Sequence, residues 1–141
     1  MKILFPTDGS AQSLSALETL VKSFPYFRET PSLTLLSVHA PVPYKAAVAA
    51  VGHDAVQRYY DEESDAALSG ARELLTGRGV PFETGKRIGS PVDEIVKWAE
   101  EGKFQMIAMG THGRTALANL VMGSVATGVV ARSKVPVLLL K

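Results

Sequence analysis

The sequence predicts a single α/β domain, in which a five-stranded parallel sheet carries helices on both faces. Five short apolar segments alternate with four segments of helical spacing along the 141 residues, and this alternation is typical of parallel sheets with right-handed crossovers. A chain of this length buries about 70% of its unfolded surface in one core, so we expect one domain over residues 1–141. The predicted strands are 3–5, 33–39, 82–88, 104–109 and 135–140.

The first strand and helix follow directly from the residues near the start of the chain. Ile3 to Phe5 form a continuous apolar run, as in a strand that is buried on both faces. The segment PTDGS ends this strand, and either Asp8 or Ser10 can cap the helix that follows. The apolar residues of that helix recur at helical spacing until Pro25; they are Leu14, Leu17, Leu20, Val21 and Phe24.

The middle of the chain predicts a central strand and one long helix. The segment LTLLSVH, residues 33–39, is apolar enough for a central position in the sheet. We interpret residues 44–53 as a mobile connection that can form a frayed helical turn, because they are rich in alanine and lack periodicity. A helix over 54–76 follows, and Gly77 and Gly79 end it. Its predicted inward residues are Ala67, Ala71, Leu74 and Leu75.

The last third of the chain predicts three strands and two helices. Residues 82–88 are polar for a strand, which is typical of a sheet edge. Ser90 as N-cap and Pro91 at the first helical position begin a helix that ends at Gly102. The strand 104–109 leads into a glycine-rich stretch, a further helix begins near Gly123, and 135–140 forms the final strand.

The glycine-rich stretch GTHGRTALANLVMGS has the composition of an anion-binding loop. Gly110, Gly113 and Gly123 let the backbone approach a ligand, and Ser124 adds a hydroxyl at the start of a helix. Arg114 could place its guanidinium against phosphate oxygens. Glycines also commonly occur in strand-to-helix loops with no ligand, and the spacing is neither that of the P-loop nor that of the GxGxxG dinucleotide motif.

The spacing Gly110-x2-Gly113-x9-Gly123-Ser124, with the segments ILFPTDGS, LLSVHA and PVLLLK, resembles the universal stress protein family over residues 1–141. The resemblance implies a Rossmann-like fold of the adenine nucleotide alpha hydrolase type, with strand order 3-2-1-4-5. The residue pattern by itself leaves the order 2-1-3-4-5 open. The intact glycine loop implies the branch of the family that binds ATP.

The resemblance also implies a binding site for ATP or AMP, with Mg²⁺ as a candidate companion of the nucleotide. It places Thr7 and Asp8 near the nucleoside and Val38 against the adenine, although Ser37 replaces a histidine that is common in the family. Without the resemblance, Asp8 is most simply a turn or cap residue, Val38 and Met109 are core residues, and His112 is an exposed loop histidine. The implied site residues are Pro6, Thr7, Asp8, Val38, Met109, Gly110, His112, Gly113, Arg114, Gly123, Ser124 and Val125.

Composition excludes several other classes of function. The formal net charge is +1, with no clustered basic face of the kind that binds nucleic acid, and the absence of cysteine excludes thiol catalysis and thiolate metal sites. No apolar run approaches the roughly 20 residues that span a bilayer. We therefore expect a cytoplasmic protein with no nucleic-acid or membrane partner.

These observations leave three hypotheses for function. The first is a nucleotide-binding regulatory protein of the stress response, with no catalytic residue assigned. The second is a slow Mg²⁺-dependent ATPase or nucleotidyl transferase that uses Asp8, and the third is an interaction module whose loop binds nothing. In each case the apolar strand 135–140 would lie at a sheet edge, so we expect a homodimer in which this strand pairs with its copy.

Overall fold

The computed structural model describes residues 1–112 and 122–141. Gly113 and Arg114, two of the predicted phosphate contacts, lie outside the described residues. The described chain begins with β1 (Lys2–Pro6), α1 (Ala11–Ser23), a 3₁₀ turn (Phe24–Tyr26), β2 (Ser32–His39), α2 (Tyr44–Val51) and α3 (His53–Gly77). It continues with β3 (Phe82–Ile88), α4 (Pro91–Glu101), β4 (Met106–Gly110), α5 (Ser124–Arg132) and β5 (Val137–Leu140).

The five strands form one parallel sheet in the order β3-β2-β1-β4-β5. This confirms the predicted fold class and decides between the two strand orders that the residue pattern leaves open. The chain moves outward from β1 through β2 to β3 and then returns across the sheet, so that β4 pairs with β1 on its other side. The strand order therefore reverses between β1 and β4, where parallel α/β sheets bind their ligands.

Each face of the sheet has its own apolar core, because successive side chains of a strand point to opposite faces. Ile3 and Phe5 of β1 pack with α1 and α3, whereas Leu4 between them packs with α4 and α5. All three side chains are fully buried. Burial on both faces explains why the inner strands consist of continuous apolar runs, since both sides of each inner strand are covered by helices.

The predicted helix starts are confirmed, with one difference in capping. Ser10 is the N-cap of α1, and its hydroxyl accepts a 3.1 Å hydrogen bond from the Ser13 N–H. Asp8 instead accepts from the Ser10 N–H at 3.0 Å, which closes the turn before the helix. Ser90 is the N-cap residue of α4 and Pro91 its first residue, but the Ser90 side chain makes no capping hydrogen bond.

The prediction for residues 44–53 was wrong. These residues contain the eight-residue helix α2, so the described residues hold five α-helices instead of the predicted four. Alanine is the best helix former, and four of the eight residues of α2 are alanines. Gly52, with φ 88°, separates α2 from α3.

Two strands begin two residues later than predicted, because the backbone groups before them bond elsewhere. The Phe104 N–H donates to the Ala99 carbonyl at the end of α4, so β4 begins at Met106. The Val135 N–H donates to the Ser133 hydroxyl, and β5 begins at Val137. Among the helices of the described segments, none combines the length and apolar character needed to cross a bilayer.

Candidate functional site

A cavity of about 220 Å³ opens at the carboxyl ends of β1 and β4, where the strand order reverses. We call it the switch-point cavity. Four segments supply most of its wall: the end of β1, the second half of β2, the end of β4 with the loop after it, and the first turn of α5. The lining residues are Pro6, Thr7, Asp8, Ser13, Leu36, Val38, Pro91, Ile95, Met109, Gly110, Thr111, His112, Gly123, Ser124, Val125 and Ala126.

The predicted site residues that the structure describes all lie in the wall of this one cavity. Four described stretches of the chain thus meet at this cavity: residues 6–8, Val38, residues 109–112 and residues 123–125. Their contact with a ligand stays a prediction. The sequence analysis missed six residues that line the cavity; they are Ser13, Leu36, Pro91, Ile95, Thr111 and Ala126.

Two of the missed residues carried a signal in the sequence. Leu36 stands two residues before Val38 on the same strand, so both side chains face the same side of the sheet. Thr111 lies inside the GTHGR segment itself. Pro91 and Ile95 carried no local signal, because they reach the cavity only through the packing of α4 against the sheet.

The turn after β1 is held by hydrogen bonds around the buried side chain of Thr7. Its backbone N–H donates to the Leu36 carbonyl at 2.9 Å. Its hydroxyl oxygen accepts from the Ser13 hydroxyl at 2.9 Å and from the Gly9 N–H at 3.2 Å. The turn is therefore fixed to both β2 and α1, and this holds Asp8 in the wall of the cavity.

The first turn of α5 presents backbone donors to the same cavity. Its N-cap, Gly123, has no side chain and so supplies no capping hydrogen bond. The first intrahelical bond runs from the Thr127 N–H to the Gly123 carbonyl at 3.0 Å, which leaves the N–H groups of residues 124–126 without helical partners. These groups, at the positive end of the helix dipole, are a favourable environment for an anion.

A further part of the cavity wall is apolar. Leu36 and Val38 of β2, Ile95 of α4 and Met109 of β4 line it, and they belong to or pack against the core on the α4 side of the sheet. The cavity therefore combines an apolar surface with a cluster of backbone donors. This combination suits a ligand with a planar apolar part and an anionic part.

The titratable side chains in the described wall of the switch-point cavity are few. Asp8 and His112 are the titratable side chains in its described wall. The His112 Nδ1 lies 3.0 Å from the Thr111 hydroxyl. Within residues 1–112 and 122–141, no group of three or more His, Cys, Asp or Glu side chains could hold a metal ion.

The fold and the cavity together define an α/β protein with a ligand crevice at the topological switch point of a parallel sheet. The family model described as "Universal stress protein family" matches residues 1–141. The chain therefore belongs to the universal stress protein family.

Individual relatives support this membership over the whole chain. The chain is 33% identical to Universal stress protein MJ0531 of Methanocaldococcus jannaschii over 141 residues, which cover 99% of this chain and 81% of the relative. The solved structure of MJ0577 from the same organism has a TM-score of 0.80 at 29% identity, covering 99% of this chain and 94% of that one. A universal stress protein solved in complex with cAMP has a TM-score of 0.70 at 25% identity, covering 100% and 97%.

Proposed function

We propose that this protein binds an adenine nucleotide, ATP or AMP, in the switch-point cavity and acts as a cytoplasmic regulatory protein of the stress response. The observation that carries the proposal is the junction of the apolar wall with the uncapped first turn of α5 in one cavity. A family member solved with cAMP supports the choice of an adenine nucleotide. The glycine spacing supports a ligand that carries phosphates.

The residues of the wall fit the three parts of such a ligand. The adenine would lie against Val38 and Met109, whose apolar side chains suit a purine ring. The ribose hydroxyls would meet Thr7 and Asp8 at the end of β1. The phosphates would be held by Gly110, His112, Gly113, Arg114, Gly123, Ser124 and Val125. Because the cavity of about 220 Å³ is smaller than the roughly 300–1,000 Å³ of typical ligand pockets, we expect it to enclose the nucleoside while the phosphates lie at its mouth.

A magnesium ion would arrive together with the nucleotide. Mg²⁺ usually binds through one or two carboxylates together with substrate phosphates, and it keeps several waters. Asp8 is the carboxylate that lines the described part of the cavity. The donor set therefore fits a nucleotide-bound Mg²⁺ and not an ion held by the protein alone.

Binding of ATP and AMP by isothermal titration calorimetry tests the proposal. We expect Gly113→Val to weaken ATP binding strongly, because a side chain at this loop position would block the approach of the phosphates. Gly77→Val is the matched control, since a Cβ at Gly77 meets nothing within 4 Å. Equal affinity of both variants for ATP would remove the glycine loop from the site.

A second pair of variants tests the apolar wall. Val38→Trp fills part of the cavity and should reduce the affinity for both ATP and AMP. Val51→Trp makes the same change at a position that is 64% exposed and outside the cavity wall, so it should bind normally. If the wild type shows no binding and no thermal shift with millimolar ATP, the protein is instead an interaction module with no nucleotide. A ligand at 100 times its Kd should add about 2.7 kcal/mol of stability.

The alternative is a slow Mg²⁺-dependent ATPase or nucleotidyl transferase. The position of Asp8 in the cavity wall favours it, but one carboxylate and His112 offer little else to phosphoryl-transfer chemistry. Formation of ADP or AMP that depends on Mg²⁺ and disappears in Asp8→Asn would establish this activity. Binding without turnover supports the regulatory function.

We also propose that the protein forms a homodimer through the strand predicted at 135–140. β5 is an edge of the sheet; the Pro136 carbonyl accepts from the Ile107 N–H of β4, and the Leu140 carbonyl accepts from the Thr111 N–H directly after β4. The backbone N–H and C=O groups of successive residues in a strand point to opposite edges. Those of Val137 and Leu139 therefore point to the open edge of the sheet, away from β4. Leu139→Pro removes an outward N–H while sparing the bonds to β4, and it should shift the sedimenting species from dimer to monomer. A monomeric wild type at micromolar concentration would contradict the dimer.

A further inference from the structure

The wall of the switch-point cavity contains a hydroxyl that is hydrogen-bonded to a histidine ring. Thr111 and His112 follow the end of β4 directly, and both line the cavity. The Thr111 Oγ1 lies 3.0 Å from the His112 Nδ1. A nucleophilic hydroxyl and its general base are usually separated by about 2.6–3.2 Å. The pair therefore has the geometry of an activated nucleophile, and the nucleotide binding proposed above makes no use of the hydroxyl.

The backbone of Thr111 is fixed on both sides. Its N–H donates to the Leu140 carbonyl at 3.0 Å, and its carbonyl accepts from the Gly123 N–H at 2.7 Å. These two bonds join Thr111 to the end of β5 and to the N-cap of α5. Because a β-branched side chain has few rotamers, a fixed backbone also restricts the hydroxyl to few positions. An acceptor group that is held in this way loses little entropy when it reaches a reactive geometry.

The bond to Gly123 also places Thr111 beside the uncapped first turn of α5. The N–H groups of residues 124–126 have no helical partner there. Such donors stabilise the negative charge of phosphate oxygens, both in a bound ligand and during transfer of a phosphoryl group. Ser124 and Ala126 line the same cavity as Thr111. A phosphoryl group bound at this turn would therefore lie close to the Thr111 hydroxyl.

Transfer of a phosphoryl group to this hydroxyl requires less of the protein than hydrolysis does. Hydrolysis needs a group that positions the attacking water, and the titratable side chains in the described wall are Asp8 and His112. The Thr111 hydroxyl is already positioned, and its hydrogen-bond partner can take its proton. The arrangement therefore favours a single transfer per chain over repeated turnover.

We propose that the protein phosphorylates itself on Thr111 when it holds a nucleoside triphosphate, an inference that rests on the nucleotide binding proposed above. The Thr111 Oγ1 attacks the γ-phosphorus, and a new O–P bond forms while the bond from this phosphorus to the β,γ-bridging oxygen breaks. The electron pair of the broken bond leaves with the nucleoside diphosphate. The hydroxyl proton moves to the His112 Nδ1, in the tautomer whose ring proton is on Nε2.

Labelled ATP tests this proposal with the full-length protein. The protein is first treated with a phosphatase and is then incubated with Mg²⁺ and ATP labelled at the γ-phosphate or, separately, at the α-phosphate. We expect label from the γ-phosphate alone, and tandem mass spectrometry should locate it on Thr111. The first-order rate constant should not change with protein concentration, because the transfer occurs within one chain. Label from the α-phosphate, a phosphate on another residue, or a rate constant that rises with protein concentration would overturn the proposal.

Variants of the two residues separate their roles. Thr111→Val removes the hydroxyl but keeps the β-branched shape and both backbone bonds, so it should bind ATP and stay unlabelled. Thr111→Ser retains a hydroxyl and should be labelled. His112→Gln removes the base and should slow labelling at saturating ATP by about 10²–10⁴-fold. Thr76→Val, at an exposed position of α3, is the control and should be labelled as the wild type is. Labelling of Thr111→Val, or an unchanged rate in His112→Gln, would contradict the assigned roles.

Isothermal titration calorimetry of the same wild-type protein distinguishes the failure of this inference from the failure of the proposed function. ATP binding without any label on Thr111 would overturn self-phosphorylation and leave nucleotide binding intact. Absence of ATP binding would overturn both.

Discussion

The Gly123 N–H donates a 2.7 Å hydrogen bond to the carbonyl oxygen of Thr111. The Thr111 N–H in turn donates to the Leu140 carbonyl at 3.0 Å. The end of β4, the end of β5 and the start of α5 are therefore joined by two backbone bonds at the switch-point cavity. This arrangement places Gly110 and Gly123, which are thirteen positions apart in the sequence, in the wall of the same cavity.

Removing the Gly123 N–H should destabilise the protein. The φ of Gly123 is −72°, close to the value that proline imposes, so Gly123→Pro deletes the donor without changing the backbone conformation. Gly123→Ala keeps the donor and suits the same φ. We expect Gly123→Pro to be less stable than Gly123→Ala by about 1 kcal/mol, measured by urea denaturation. Equal stability of the two variants would mean that the bond to Thr111 contributes nothing.

Gly9 is required both for its conformation and for the space around it. Its φ is +76°, and a Cβ there would lie 2.9 Å from the Cα of Ala67 in α3. Gly79 has a similar φ of +64°, but a Cβ there would meet nothing within 4 Å. We expect Gly79→Ala to lose about 1 kcal/mol from backbone strain and Gly9→Ala to lose about 1–3 kcal/mol more from the clash. Equal losses in chemical denaturation would show that the turn after β1 moves away from α3 freely.

The hydroxyl of Thr7 is a shared acceptor, so its removal should leave two donors unsatisfied. Thr7→Val deprives the Ser13 hydroxyl and the Gly9 N–H of their partner, and we expect a loss of about 1–3 kcal/mol. Thr7→Ser retains the oxygen and should keep most of the stability. The double variant Thr7→Val, Ser13→Ala should recover part of the loss, because Ser13→Ala removes one of the two unsatisfied donors. Additive losses in the double-mutant cycle would exclude the coupling.

The inner strands of the fold were predictable because their signal is local. Ile3 to Phe5 form a continuous apolar run, and the structure buries this run on both faces of the sheet. The strand order was not predictable from the residues alone, because the pairing of Ile3 with Met106 joins positions with no local relation. It followed only from the resemblance to the family.

The helix α2 was missed because it has no buried face. None of its residues is buried, so the apolar periodicity that marks an amphipathic helix is absent. The helix forms because alanine has a high intrinsic helix propensity. A prediction based on apolar periodicity does not use this propensity. The prediction was therefore wrong for a helix that buries no side chain in the core.

From the residues alone, the candidate site was predictable in the loops after β1 and β4 and at the start of α5, whereas Val38 followed from the resemblance to the family. Polar and glycine residues at 7–8 and 110–112 marked the ends of β1 and β4. Ile95 lies in the cavity because α4 packs against the sheet, next to α5. Gly128 permits that approach, since a Cβ there would lie 2.6 Å from Val92. Such contacts depend on tertiary packing and leave no local pattern.

Asp65 on α3 joins two elements through ion pairs, and this makes stability depend on pH. Its carboxylate lies 2.9 Å from the Lys86 Nζ on β3 and 3.0 Å from the Arg72 Nη1 on its own helix. Hydrogen bonds from Lys86 first, and then from Arg72, lower the pKa of Asp65 below its ordinary value. A carboxyl whose pKa is lower in the folded state stabilises that state above the unfolded pKa, and this contribution is lost as pH falls through the folded pKa.

Asp65→Asn should therefore be less stable than the wild type at neutral pH, and the difference should disappear in acid, below the folded pKa of Asp65. The effect should be small and should shrink in high salt, because the side chain is half exposed. Asp61→Asn is the control on the same helix, at an exposed position that forms no ion pair with described residues. Urea denaturation of the three proteins across the acid range measures the difference. Only a titrating Asp65 carboxylate can make the difference in unfolding free energy between Asp65→Asn and the wild type vary with pH. A difference that stays constant with pH would therefore mean that the ion pairs do not cause it.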